Sequence, residues 1–222
     1  MTRRVPPAAW IAGCLGALAF GLSVAASVAK APLPGDLALA RWLQDVAALD
    51  ALAPVVNGCG DWRWVPAVAL LATAVAVSVT TSKTVRGNGL APALAQALLP
   101  WAAVGALSPV ANWLKEIVQS PRPSAADGLA IDRIRTDFGF PSGHVYGDVL
   151  LYGFIFAAAP GLLPRPLARC VQAVCGGIIV LAGPARVSVG AHWPSDTAGG
   201  YLWGGTALAL VLLLRRWPRK RA

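Results

Sequence analysis

Long apolar runs, separated by short clusters of charge, proline and glycine, dominate this chain. The first run covers residues 7–29 without a single charge, and five more follow at 64–82, 90–114, 143–163, 169–185 and 197–214. Each approaches the roughly 20 apolar residues that a helix needs to cross a bilayer core. Backbone groups in lipid must be paired within the segment, which favours helices. The pattern therefore predicts an all-α integral membrane bundle of six transmembrane helices, forming one domain over residues 1–222. Arg3 and Arg4 ahead of the first run also fit a cleaved signal peptide. The run exceeds a signal core of about 7–15 residues, so a retained helix is expected. Residues 36–56 differ in character, because Arg41, Asp45 and Asp50 interrupt the apolar positions. That stretch reads as an amphipathic interfacial segment in which Asp36 can cap a helix. Trp42, Trp62 and Trp64 fit an aromatic belt at the membrane surface.

Composition strengthens this reading. Hydrophobic residues make up 56% of the chain and charged residues 13%, with a mean hydropathy of +0.60; ordinary globular domains carry about 25% charge. The net charge of +9 invites a nucleic-acid reading, which the apolar composition opposes. Its placement explains it better. With the N-terminus inside, basic residues mark every inner connection: Arg3 and Arg4, Lys83 and Arg86, Arg165 and Arg169, then Arg215, Arg216, Arg219, Lys220 and Arg221. The ten acidic residues fall on the outer side, with Asp148 one turn inside a helix. Cys14, Cys59, Cys170 and Cys175 match no zinc spacing and read as small packing residues. No metal site and no disulfide are expected, and no cofactor is implied.

The candidate chemistry concentrates on the outer face. The chain has two histidines, His144 and His192, and histidine is the side chain best suited to proton transfer and nucleophilic attack near neutral pH. His144 follows Pro141-Ser142-Gly143 at the start of the fourth run, and His192 lies between Arg186 and Asp196. A third cluster runs from Lys115 to Arg122-Pro123. Lys115, Arg122 and Arg186 can surround a tetrahedral oxyanion, the arginine forks matching its oxygens. Ser142 is placed as a helix N-cap, so that the following amides point at the same anion, and Gly143 lets the backbone come close. His192 and Asp196 share a face if their stretch is helical. A carboxylate on one imidazole nitrogen leaves the other free to attack, while His144 protonates the leaving oxygen. Asp148, four residues beyond His144, is a possible modulator of that acid, although a first-turn acid favoured by the helix dipole is the simpler reading. Arg133, Arg135 and Asp137, in the long loop before His144, could touch a head group, although solvated loop charges are the simpler reading.

Taken in order, Lys-x6-Arg-Pro, Pro-Ser-Gly-His and Arg-x5-His-x3-Asp resemble the signature of the type 2 phosphatidic acid phosphatase (PAP2) family, membrane phosphatases related to the vanadium haloperoxidases. The motifs span residues 115–196. The resemblance implies a PAP2/haloperoxidase-like bundle. It implies His192 as the nucleophile forming a phosphohistidine, Asp196 as its orienting partner and His144 as the general acid. Lys115, Arg122, Ser142, Gly143 and Arg186 are implied to bind phosphoryl oxygens, without a metal. One position departs from the family: Ala185 stands where a serine usually precedes the arginine, which removes a hydroxyl contact.

The expected activity is hydrolysis of a lipid phosphomonoester or pyrophosphate, with the lipid tail left in the bilayer. A polyprenyl pyrophosphate, such as undecaprenyl pyrophosphate, leads as substrate, with phosphatidic acid and phosphatidylglycerol phosphate as alternatives. A lipid phosphotransferase would use the same phosphohistidine, and a scaffold or transporter would need no histidine. The expected location is a bacterial inner membrane, with both termini cytoplasmic and the site outside.

Overall fold

The apolar runs fold as helices whose ends coincide with the polar punctuation. In a computed structural model of the chain, the described residues are 7–61, 63, 65–88, 98 and 101–216. They form α1 (Pro7–Ala29), α2 (Asp36–Gln44), α3 (Ala47–Cys59), α4 (Val65–Asn88), α5 (Val110–Val118), a 3-10 turn (Ala125–Asp127), α6 (Gly143–Leu162), α7 (Arg165–Ser188) and α8 (Pro194–Arg216). Residues 101–107 are also helical. Proline sets several boundaries: α6 stops just before Pro164, and α8 opens on Pro194. The residue before a proline is pushed out of the helical region, while proline itself is tolerated in a first turn.

Helix α6 is the centre of the bundle, packed between α7 and α8, while α1 covers α8. Its Tyr146, Leu150 and Phe154 join Ala111, Ala207 and Val211 in the main apolar cluster. Glycine brings α8 close. A methyl group at Gly200 would stand 2.8 Å from the Ser142 carbonyl oxygen, and one at Gly204 would stand 2.9 Å from that of Tyr146. Polar side chains tie other helices together, as expected where lipid gives no hydrophobic drive. Trp203 Nε1 donates to Ser23 Oγ at 3.0 Å, joining α8 to α1. Pro184 lacks an N–H and so leaves the Val180 carbonyl without its helical donor. The Tyr201 hydroxyl lies 3.0 Å from that oxygen and accepts from the Gly183 amide at 2.8 Å. This brace from α8 steadies the last turn of α7, which carries Arg186.

Among the described residues, α1, α6 and α7 are long and apolar enough to cross a membrane. Helices α4 and α8 have comparable lengths, 24 and 23 residues. Of the predicted run at 90–114, residues 98 and 101–114 are described and the rest lie outside the described residues, as do Trp62 and Trp64. Trp10, Leu18, Phe20 and Val28 on α1 and Val174 and Val180 on α7 are exposed, an outward apolar surface suited to lipid. The 36–56 stretch is two helices, α2 and α3. Ala53 and Val56 of α3 pack on Ala185 of α7, and Ala40 of α2 packs on Leu129, Val187 and Trp193. Asp36 does not cap its own helix from the N-cap position, which Gly35 fills. Its carboxylate instead accepts from the Ser195 amide at 2.8 Å and the Ser195 hydroxyl at 2.7 Å. It thus serves the first turn of α8, whose free amides and dipole favour a negative charge.

Candidate active site

Three chain segments deliver the polar groups to one end of the bundle. The last turn of α5 carries Lys115, and Gln119, in the left-handed region with φ of 54°, ends that helix. The chain then crosses to the 189–193 loop: Trp193 Nε1 donates to the Pro121 carbonyl at 3.1 Å, and Arg122 Nη1 donates to the Ala191 carbonyl at 2.6 Å. The start of α6 supplies Ser142, Gly143 and His144, and its Ser142 amide donates to the Asp196 carbonyl at 2.9 Å. The end of α7 supplies Arg186, the loop after it His192, and the first turn of α8 Asp196.

These segments enclose a cavity of about 510 Å³ lined by Lys115, Arg122, Gly143, His144, Arg186 and His192, among others. Ser142 and Asp196 stand fully buried beside it. All eight residues singled out as catalytic or phosphate-binding therefore come together. Two observations bear on an anionic ligand. Arg186 is 6% exposed and its buried Nε has no hydrogen-bond partner. Ser142 holds the N-cap position of α6 but makes no side-chain capping bond, and its buried Oγ is also without a partner. Buried donors are rarely left unpaired, so the expected serine cap is replaced by a hydroxyl held ready beside the cavity.

His192 is set up as a neutral base. Arg122 Nη1 lies 3.1 Å from its Nε2, and Asp196 Oδ2 lies 3.4 Å from its Nδ1. A guanidinium only donates, so Nε2 offers its lone pair and Nδ1 carries the proton toward Asp196. The His192–Asp196 contact is long, as is common in a site without substrate. Asp196 Oδ2 also accepts from the Trp193 amide at 3.0 Å, which fixes the carboxylate. Burial, then the charges of Arg122, Arg186 and Lys115, push the His192 imidazole well below its ordinary value. For a base, a lowered pKa favours the neutral, nucleophilic form. With His144 replaced by glutamine, His192 is the last imidazole in the chain. Its ring ¹⁵N shifts should hold neutral values as the pH falls through about 6.5, the unperturbed value. A titration centred there would contradict the assignment.

Asp137 is the main residue misread from sequence. Its carboxylate bridges Lys115 Nζ at 2.6 Å and Arg122 Nη2 at 2.7 Å. Burial raises its pKa, but hydrogen bonds and charge from Arg122 and Lys115 outweigh that and hold it at about 2. Arg133 and Arg135 line the same cavity, Arg135 paired with Asp132 at 2.7 Å, so these loop charges are not simply solvated. Asp148 is 2% exposed, with Oδ1 unpartnered. A methyl group at Gly60 would meet that oxygen at 2.9 Å and His144 Cδ2 at 3.1 Å, so the end of α3 closes over both residues. Ala185 is fully buried against Ala53 and Val56 of α3, where its methyl group packs between helices. Among the described residues no group of three or more His, Cys, Asp or Glu side chains is placed to hold a metal ion. Cys175 packs against Leu151 and Tyr152, whereas Cys14 and Cys170 are exposed.

A model of the PAP2 superfamily matches residues 93–220. Phosphatidylglycerophosphatase B of Bacillus subtilis (strain 168) is 31% identical over 109 residues, 48% of this chain and 50% of that protein. The chain thus matches about half the length of that curated relative. A crystal structure described as a transmembrane PAP2-type phosphatidylglycerolphosphate phosphatase from Bacillus subtilis superposes with a TM-score of 0.76. That likeness, at 20% identity, covers 96% of this chain and 100% of the other.

Proposed function

This chain belongs to the PAP2 superfamily, and on that premise we propose that it is a membrane-embedded phosphohydrolase acting on a lipid phosphate through a phosphohistidine. The observation that carries the reading is the convergence of His192, His144 and three cations on one cavity at the end of an apolar bundle. Lys115, Arg122 and Arg186 hold the non-bridging phosphoryl oxygens, with the Ser142 hydroxyl and the first amides of α6 as further donors. His192 Nε2 attacks phosphorus, and the P–N bond forms as the P–O bond to the lipid alcohol breaks. His144 gives its proton to the departing oxygen. It then takes one from a water molecule that attacks the phosphohistidine, releasing inorganic phosphate and free His192. Asp196 keeps the attacking tautomer and steadies the cation formed on the ring. Asp148 is read as a modulator of His144.

The relative named a phosphatidylglycerophosphatase supports phosphatidylglycerophosphate as substrate. That moves the reading away from polyprenyl pyrophosphate, which leads from sequence alone. The basic inner connections support cytoplasmic termini and an outward site in a bacterial inner membrane. Purified protein in detergent, with chelator present, tests the reading on phosphatidylglycerophosphate, phosphatidic acid and undecaprenyl pyrophosphate. Inorganic phosphate should appear fastest from the first. Release from undecaprenyl pyrophosphate alone would reassign the substrate, transfer to a second lipid without free phosphate would make it a transferase, and no reaction at all would overturn the enzyme.

A further inference from the structure

One carboxylate occupies two of the three cations that the phosphoryl group needs. Asp137 Oδ2 contacts Lys115 Nζ at 2.6 Å and Arg122 Nη2 at 2.7 Å, while Oδ1 accepts from Arg122 Nε at 3.0 Å. The remaining Arg122 nitrogen, Nη1, is already engaged by the Ala191 carbonyl and by His192. Four of the five Arg122 N–H groups are therefore engaged, and one on Nη2 is left. Arg186 Nε and Ser142 Oγ, by contrast, are buried and unpartnered. A phosphoryl group that takes the contacts Asp137 now makes with Lys115 and Arg122 must displace its carboxylate. Little holds that carboxylate apart from the two cations. Its side chain is about half exposed, and it sits in a loop whose nearby Ile134 is 89% exposed.

We propose that Asp137 is a tethered anion that competes for the phosphoryl seat, so that its displacement weakens every phosphate ligand alike and leaves only the more strongly held phosphomonoester dianions bound, phosphodiester monoanions being kept out. A monoanion that replaces Asp137 exchanges one unit of charge for another, with no Coulomb gain at Lys115 and Arg122. A dianion brings a second charge between those cations and Arg186. Bilayer phospholipids present phosphodiesters at the mouth of such a site in great excess. A built-in competitor of matching charge keeps them out while admitting a terminal phosphate. The inference rests on reading this cavity as the phosphoryl site.

Binding to His192→Ala protein, which cannot turn over, separates the two ideas. The probes are inorganic phosphate and dimethyl phosphate, titrated calorimetrically in detergent at a pH above the second ionisation of inorganic phosphate, so that it is mainly the dianion. Adding Asp137→Asn should tighten both probes by at least about tenfold, because the carboxylate that either one displaces is gone. Asp137→Ser should do the same, which guards against a misfolded single variant. In the enzyme with His192 intact, Asp137→Asn should lower KM for a short-chain phosphatidic acid and make hydrolysis sensitive to added phosphatidylglycerol. Weaker or unchanged binding of both probes, or a higher KM, would overturn the proposal and make Asp137 a positioning residue for the cations. If neither probe binds with or without Asp137, the phosphoryl-site reading itself falls.

Discussion

Replacing His192 with alanine is expected to lower phosphate release by at least about 10,000-fold, the scale of loss when a covalent nucleophile is removed. No other group can substitute. Nε2 of His192 faces the cation-lined cavity with its lone pair on the Arg122 side, while His144 opens α6 on another wall. The variant should fold, because Ala191 still accepts from Arg122 and the substitution only removes atoms from a buried ring. Quenching the wild-type enzyme during turnover of a ³²P-labelled lipid phosphate should trap an acid-labile, base-stable phosphoenzyme. The His192→Ala protein should carry no label. Label that survives in the variant would place the nucleophile elsewhere, and unlabelled wild type with full activity would point to direct attack by water.

The bundle and the set of residues that converge on the cavity could be read from sequence because each leaves a local trace. A helix in lipid must be apolar over its whole length, so the run at 143–163 foretells α6 (Gly143–Leu162) almost residue for residue. The candidate side chains sit at helix ends or in the loops beside them, and the short step from His192 to Asp196 joins the loop after α7 to the first turn of α8. Contacts between segments distant in the chain left no such trace. Asp137 belongs to an irregular loop with no periodicity, and its role depends on Lys115, 22 positions away. Asp36 stands where its own helix could use it, yet it serves Ser195, 159 positions away. A polar signal was present in both cases, because an acid beside an otherwise basic cluster needs a cation and an acid before an apolar run needs an amide. Sequence could not say which cation or which amide. Ser142 shows the converse: its position fits a cap, and only the partnerless Oγ shows that the hydroxyl is unspent.

Asp196→Asn should be the next most damaging change, lowering kcat by about 1,000- to 10,000-fold if the carboxylate sets the tautomer of the attacking ring. Asp196 Oδ2 meets both the Trp193 amide at 3.0 Å and His192 Nδ1 at 3.4 Å, so a single atom of the introduced amide must serve both. Its oxygen in that place keeps both contacts without the charge. Its NH₂ in that place loses the Trp193 bond and favours a lone pair on Nδ1, which moves the ring proton to Nε2. That proton then points at Arg122 Nη1, 3.1 Å away, donor against donor. The nucleophile is thereby both blocked and turned from its cationic neighbour. The variant also lacks the negative charge that stabilises the ring as it becomes cationic during attack. Stability should change little, because the wild-type carboxylate is wholly buried with Oδ1 unpartnered, an arrangement that costs the fold about as much as it contributes. Thermal unfolding therefore checks that lost activity is not lost structure. In the His144→Gln background, the His192 ¹⁵N signals should exchange places as the proton moves from Nδ1 to Nε2. An Asp196→Asn enzyme within about tenfold of wild type would show that the contact, long at 3.4 Å, does not control the tautomer.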